Sequence, residues 1–80
     1  MEGVIDLRSL REAAGLSQVQ LAGQLGWEQG RVSRAERQSD WRLSSLIAYL
    51  EALGADAELV VHLPNGQTIR QHLTGEGERR

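Results

Sequence analysis

Residues 15–36 read GLSQVQLAGQLGWEQGRVSRAE, and this stretch predicts two short helices joined by a tight turn. Gly15 can adopt the left-handed conformation that ends a preceding helix. Ser17 then offers its hydroxyl as the N-cap of a new helix. We expect that helix over residues 18–25, with Gly26 ending it.

The second helix of the pair is expected over about residues 29–37, with Val32 and Ala35 facing inward. Trp27 and Glu28 precede it in the turn. Glutamate suits the positive end of a helix dipole but is a poor cap, and Trp27 is expected to pack between helices. The two helices therefore have the spacing of a helix-turn-helix.

Further helices are predicted on both sides of this pair. Before it, residues 6–14 place Leu7, Leu10 and Ala14 on one helical face. After it, a fourth helix is indicated by an apolar stripe formed by Leu43, Leu46, Ile47, Leu50 and Leu53. Gly54 is expected to stop this helix.

From residue 57 the hydrophobic period changes to two, which predicts a β-hairpin. The apolar residues of its first strand are Leu59, Val61 and Leu63. Residues 64–66 (PNG) favour a three-residue loop, with a type I turn and a left-handed glycine. Such a loop pairs Leu63 with Gln67 and Val61 with Ile69, which places the apolar residues on one face.

The basic residues are unevenly distributed along the chain. Eleven acidic and nine basic residues give a formal charge of −2, and every basic residue is an arginine. Four arginines lie between residues 31 and 42, whereas residues 51–58 carry three acids and no base. A local basic face is therefore expected on an acidic protein, and phosphate binding there would weaken with salt.

Composition argues against several classes of protein. The length allows one small domain, whose stability a dimer contact would increase. There is no cysteine and both histidines lie in the predicted hairpin, so we expect no metal and no other cofactor. No apolar run approaches the ~20 residues that span a bilayer and no signal peptide is visible, so we expect a cytoplasmic protein. The sequence shows no paired carboxylates, no nucleophile–base arrangement and no phosphate loop, so we do not expect an enzyme.

A series of motifs runs in one register from residue 7 to residue 36. They are Leu7-Arg8-x-Leu10-Arg11, Gly15-Leu16-Ser17-Gln18, Leu21-Ala22, Leu25-Gly26 and Val32-Ser33-Arg34-x-Glu36. In these motifs the chain resembles the Xre-type (Cro/C1-repressor) helix-turn-helix family. Residues 43–46 (LSSL), 50–54 (LEALG) and 58–61 (ELVV) are similar to single-domain antitoxins of the HigA or HipB type.

The resemblance implies a mostly α fold, a lambda-repressor-like four-helix helix-turn-helix domain with a C-terminal β-strand or hairpin used in dimerisation. Together with the pattern of the residues, it predicts a DNA-binding domain over residues 1–54, a dimerisation hairpin over 55–73 and a flexible tail over 74–80. The implied function is a sequence-specific repressor, the antitoxin of a type II toxin–antitoxin pair that represses its own operon. The implied partners are a palindromic DNA operator, a second copy of the chain and a ribonuclease-type toxin.

The resemblance also implies a DNA-binding surface of ten residues. They are Ser17, Gln18, Glu28, Gln29, Gly30, Arg31, Ser33, Arg34, Arg37 and Arg42. Gln29 and Arg34 are the candidates for reading bases, because glutamine can pair with adenine and arginine with guanine. Gln18 and the free backbone amides that follow Ser17 at the start of the helix would bind a phosphate. Arg37 and Arg42 would contact the DNA backbone.

Some of these residues have a simpler interpretation. Taken one at a time, Arg31, Arg34 and Arg37 would be an ordinary solvated face. The family register favours the functional interpretation instead. The resemblance pairs Arg11 with Glu36, and we interpret this pair as a largely buried link between the first and third helices, which fixes geometry more than it adds stability.

Seven apolar residues are the candidates for a dimer interface: Leu50, Leu53, Leu59, Val60, Val61, Leu63 and Ile69. Two strands alone are marginal in water, so the hairpin either folds back on its own helices or pairs with another chain. The sequence leaves both arrangements open. The alternative function is a protein-interaction module of the same fold that no longer binds DNA, which net acidity, Glu28 and Gly30 favour.

Overall fold

The computed structural model describes residues 5–74, in which four helices precede a two-stranded antiparallel hairpin. The elements are α1 (Leu7–Ala13), α2 (Gln18–Leu25), α3 (Gln29–Arg37), α4 (Leu43–Ala52), β1 (Glu58–His62) and β2 (Thr68–His72). The predicted fold class is confirmed, and α2 and α3 have the bounds that the sequence predicted. Within residues 5–74, no helix has the length and apolar character needed to cross a membrane.

Side-chain hydrogen bonds define the start of the first two helices. The Asp6 carboxylate accepts a hydrogen bond from the Ser9 amide at 3.1 Å and is the N-cap of α1. At α2, Ser17 Oγ accepts from the Gln20 amide at 3.0 Å, and Gln20 Oε1 accepts from the Ser17 amide at 2.8 Å. This reciprocal capping box satisfies two amides that a helix start otherwise leaves free. Glu28 makes no side-chain cap bond at α3, as expected of glutamate at this position.

The turn between α2 and α3 depends on Gly26, whose φ of +73° lies in the left-handed region. A side chain there would be strained, whereas glycine is not. The next amide, that of Trp27, donates to the carbonyl oxygen of Ala22 at 3.0 Å. The Trp27 ring is half-buried and packs against the core, as expected. The chain thus reverses within a few residues and brings α3 against α2.

The hydrophobic core lies where α2 packs against α3 and α4, with α1 contributing one large side chain. Its buried apolar residues are Leu7, Leu21, Ala22, Val32, Tyr49 and Leu50. Val32 faces inward as predicted and Ala35 is half-buried beside it. Because α3 is anchored through Val32, its opposite side remains open to solvent.

Three predicted core positions are exposed. On α1, Leu10 is 42% exposed because Leu7 and Arg11 occupy the inward face, and Ala14, the C-cap that follows α1, is also exposed. On α4, Leu43 is 61% exposed because it is the first residue of the helix, where few side chains within residues 5–74 pack against it. The α4 stripe is instead completed by Tyr49, which is 1% exposed.

The hairpin has the register that the sequence predicted. Val61 pairs with Ile69, and the Leu63 amide donates to the Gln67 carbonyl at 2.8 Å. The loop closes with the Gly66 amide donating to the Leu63 carbonyl at 3.0 Å, with Gly66 at a φ of +94°. The three-residue loop is therefore confirmed.

The base of the hairpin is fastened by Thr74, the first residue of the tail predicted from the sequence. Thr74 is 2% exposed, and its Oγ1 accepts a hydrogen bond from the Ala57 amide at 3.3 Å. Thr74 thus closes the end of the hairpin that lies away from its loop. The rest of the predicted tail, residues 75–80, lies outside the described residues.

Candidate nucleic-acid interface

The open side of α3 presents a polar surface at its N-terminal half. Gln29, Gly30, Arg31 and Arg34 are all exposed, whereas Val32 on the opposite side is fully buried. A single helix of this kind fits the major groove of B-DNA, which is about 12 Å wide. The geometry on which the predicted base contacts depend is therefore present.

Gln29 is held at the start of α3 by Gln18 at the start of α2. Gln29 Nε2 donates to Gln18 Oε1 at 3.2 Å. A carboxamide has two N–H hydrogens and one oxygen, so Gln29 keeps one donor and its acceptor oxygen free of this bond. One donor and one acceptor form the pattern that pairs with the major-groove edge of adenine.

Gln18 is in turn oriented by Glu36 at the end of α3. Gln18 Nε2 donates to Glu36 Oε1 at 3.0 Å. Its oxygen accepts from Gln29, so only its second N–H is left for an external acceptor. The two glutamines therefore act as one unit whose orientation is set from inside the protein.

Glu36 anchors this unit through a buried ion pair with Arg11 of α1. Arg11 Nε lies 2.6 Å from Glu36 Oε2 and Arg11 Nη2 lies 3.3 Å from Glu36 Oε1. The two side chains are 8% and 4% exposed. Arg11 Nη1 also donates to the Leu16 carbonyl at 2.9 Å. The predicted link between the first and third helices is confirmed, and it is bidentate and buried.

Tyr49 completes the network and was not identified from the sequence. Its Oη lies 2.7 Å from Glu36 Oε2 and 3.2 Å from the Leu7 carbonyl oxygen. A phenol has one hydrogen, which we assign to the nearer and charged acceptor, Glu36. Burial, reinforced by the Glu36 carboxylate, raises the pKa of Tyr49, so the hydroxyl remains a donor. No local signal distinguishes this tyrosine from another apolar residue of the α4 stripe.

The pKa of Glu36 is lowered by this arrangement. Burial by itself would raise that pKa, but hydrogen bonds from Arg11, Tyr49 and Gln18 outweigh it. Glu36 therefore stays ionised down to a lower pH in the folded protein than in the unfolded chain.

This shift predicts part of the acid sensitivity of the domain. The contribution of Glu36 is fully present above its unfolded pKa of about 4.3 and is lost as pH falls through the lower folded value. We expect the free energy of unfolding, measured by urea titration between about pH 5 and pH 3, to decrease less in Glu36→Gln than in wild type. Glu12→Gln is the charge-matched control. Equal decreases in wild type and Glu36→Gln would show that this carboxylate is not linked to folding.

Arg34 extends towards the start of α3, over Gly30. A Cβ placed on Gly30 would lie 3.4 Å from Arg34 Nη1, which is ordinary van der Waals contact, so the guanidinium lies directly beside Gly30. Within residues 5–74, Arg34 forms no ion pair, because the ion-paired arginines are Arg8, Arg11 and Arg70. Its donors are thus open to an external acceptor.

The remaining predicted DNA-binding residues surround this surface. The Arg31 guanidinium lies 3.9 Å from the ring centroid of Trp27, a cation–π contact. Arg37 Nη1 donates to the Oγ of half-buried Ser33 at 2.6 Å. Arg42 is exposed at the start of α4. The hydroxyl of Ser17 and the exposed side chain of Glu28 are placed at the starts of α2 and α3.

The residues predicted to form a dimer interface fall into two groups. On the hairpin, Leu59, Val60, Leu63 and Ile69 are 37–49% exposed and Val61 is half-buried. On α4, Leu53 is half-buried against the core and Leu50 is only 7% exposed. Leu50 therefore packs in the core of its own chain, where α4 meets α2, and its place in a dimer interface stays a prediction.

The strands of the hairpin pack mainly against each other, and its apolar face is not covered by the helices. Leu59, Val61 and Ile69 share that face, as the antiparallel register requires. Within residues 5–74, Leu59 and Ile69 on this face remain 49% and 40% exposed, so the helices leave much of it open. An isolated two-stranded hairpin with an exposed apolar face is a surface suited to another chain.

Comparison with known proteins gives the same family. A family model described as a helix-turn-helix domain matches residues 5–63. A HigA antitoxin whose unique dimerization induces DNA bending is 31% identical, with a TM-score of 0.72 over 81% of this chain and 88% of that chain. The DNA-bound antitoxin HigA3 is also 31% identical, with a TM-score of 0.71 over 81% of this chain and 86% of that chain. A comparison with curated proteins found no match.

Proposed function

This chain belongs to the helix-turn-helix family that includes the HigA antitoxins, and on that premise we propose that it binds a DNA operator as a repressor. The observation that carries the proposal is the exposed start of α3, where Gln29 is fixed through Gln18 to the buried Glu36. A base-reading group needs such preorganisation, because side-chain ordering otherwise opposes binding. The relatives are antitoxins, one of which is DNA-bound, and neither is described as an enzyme.

In the proposed complex, α3 lies in the major groove with its first residues towards the bases. The free oxygen and free N–H of Gln29 suit adenine N6 and N7. The unpaired guanidinium of Arg34 suits guanine O6 and N7. These two residues would set most of the sequence preference.

Phosphate contacts would fix the register of α3 on the duplex. The second side-chain N–H of Gln18 and the two first-turn amides that the capping box leaves free, those of Gln18 and Val19, would form one anion-binding group. Arg37 and Arg42 would add charge on either side of it. Because phosphate neutralisation releases counterions, the affinity of an acidic protein of charge −2 should fall steeply with salt.

We propose that the operator is palindromic and that two copies of the chain bind it. The uncovered hairpin face provides the dimer surface, and a HigA relative is known to dimerise. A dimer of such domains reads half-sites about 34–36 Å apart, one turn of DNA.

The antitoxin role requires a second partner, which we propose to be a ribonuclease-type toxin. Its gene would lie beside the gene for this chain, and the two proteins would meet in the cytoplasm. The 31% identity to two antitoxins over most of their length supports it. Co-expression of this chain with the product of the adjacent gene should give a complex that co-purifies by size exclusion and relieves toxicity. A neighbour that neither binds nor harms the cell would remove this part of the proposal.

The DNA-binding proposal is tested by Arg34→Ala. Footprinting and titration on the upstream DNA of its own gene, at low salt, should show a loss of about 1–3 kcal/mol in binding and relaxed preference at one base position. Arg70→Ala is the matched control, because Arg70 lies on the hairpin in an exposed ion pair with Glu58. Equal affinity of wild type and Arg34→Ala, without a footprint, would favour an interaction module that does not bind DNA.

A further inference from the structure

A cavity opens between α3, the loop that follows it and the start of α4. Its volume is about 410 Å³, within the range of small-molecule sites. Leu46 is half-buried and contributes apolar surface, Leu7 and Tyr49 lie buried at the base, and both tryptophans of the chain, Trp27 and Trp41, line it. Trp41 Nε1 donates to the Ala35 carbonyl at 2.7 Å, so the ring is fixed and offers its apolar surface rather than its N–H.

The charged groups of the cavity are mostly positive. Arg31, Arg34 and Arg42 line it, and Asp40 is the one carboxylate among the lining residues. Within residues 5–74, none of these three arginines has a carboxylate partner, since the ion pairs use other arginines. Unpaired guanidiniums beside fixed aromatic rings favour a ligand that is both anionic and planar.

We propose that this cavity binds a small aromatic carboxylate. The ring of the ligand would pack among the indoles and aliphatic side chains, and its carboxylate would pair with the arginines of the rim. Arg31 is already held beside the cavity by its contact with Trp27, so little ordering is required for binding. The cavity shares Tyr49 with the network that orients Gln18 and Gln29, whereas its arginines lie outside that network.

Occupancy of the cavity would also regulate the proposed function, on which this part of the inference rests. Arg31 and Arg34 belong to both the cavity and the exposed face of α3. A carboxylate bound to them competes with DNA for the same donors. Linkage requires that each ligand weaken the other by the same factor.

The binding experiment needs no DNA and uses the intact 80-residue chain. Its two indole N–H signals in a ¹H–¹⁵N spectrum are followed while salicylate is added, with cyclohexanecarboxylate and inorganic phosphate as parallel probes. We expect saturable shifts of both signals with salicylate and weaker effects from the other two anions. Shifts that stay linear, or a phosphate response as strong as that of salicylate, would overturn the aromatic carboxylate site.

Two variants locate the site. Arg42→Gln removes one rim charge and should weaken salicylate about tenfold, as expected for a charge-assisted hydrogen bond. Arg70→Gln, on the hairpin, should leave salicylate binding unchanged. Equal affinities for both variants would place the binding elsewhere.

The regulatory part is tested by DNA titration at constant ionic strength with and without saturating salicylate. Wild type should bind DNA more weakly with salicylate. Ser45→Leu, which fills the cavity from α4, should show no salicylate effect. If salicylate binds but DNA affinity is unchanged, the regulatory claim fails. If wild type binds no DNA without salicylate, the proposed function fails while the cavity result stands.

Discussion

Glu36→Ala is expected to destabilise the domain by about 3–5 kcal/mol, because it leaves a buried charge without a partner. Arg11, whose side chain is 8% exposed, would lose both of its contacts to the carboxylate, and the Tyr49 hydroxyl would lose its nearest acceptor. At about 0.05–0.15 kcal/mol per residue, the whole stability of a chain this size is of similar order. Part of the Glu36→Ala population should therefore be unfolded without denaturant.

The measurement is urea unfolding followed by tryptophan fluorescence and far-ultraviolet circular dichroism. Glu12→Ala is the matched control, because it breaks the Arg8–Glu12 pair, whose side chains are 69% and 55% exposed. An exposed pair of this kind contributes about 0–1 kcal/mol. If the two variants lost similar stability, the buried network would not be the main link between α1, α3 and α4.

Ile69→Asp is expected to abolish dimerisation and to lower DNA affinity about 10²–10⁴-fold, since each copy would bind its half-site alone. Ile69 is 40% exposed on the apolar face of the hairpin and opposite Val61, so the charge would lie within the proposed interface. The fold of the single chain should be retained, because the helical core lies apart from the strands.

Sedimentation velocity gives the oligomeric state and titration on operator DNA gives the affinity. Thr68→Asp introduces the same charge one residue earlier, on the opposite face of β2, and should remain dimeric. A dimeric Ile69→Asp, or a monomeric wild type at the concentrations that bind DNA, would refute the role of this face.

The Glu36 network and the hairpin face, on which these two predictions depend, could be predicted from the sequence to different extents. Ser17 and Gly26 placed α2 at its observed bounds because a cap and a left-handed glycine act within one helical turn. The loop at residues 64–66 likewise fixed the register of the hairpin. The pairing of Arg11 with Glu36 was implied by family resemblance, since no local signal relates positions 25 residues apart.

The amino-acid sequence by itself determined where each helix and strand lies, because hydrogen bonds at caps and tight turns span only a few residues. Only the tertiary structure decided which faces are covered. In the folded chain Leu10 and Leu43 are exposed, and Tyr49 of α4 donates a hydrogen bond to Glu36 of α3. The tertiary structure also gathered the two tryptophans and three arginines around one cavity. These contacts depend on how whole helices pack against one another, which local periodicity does not specify.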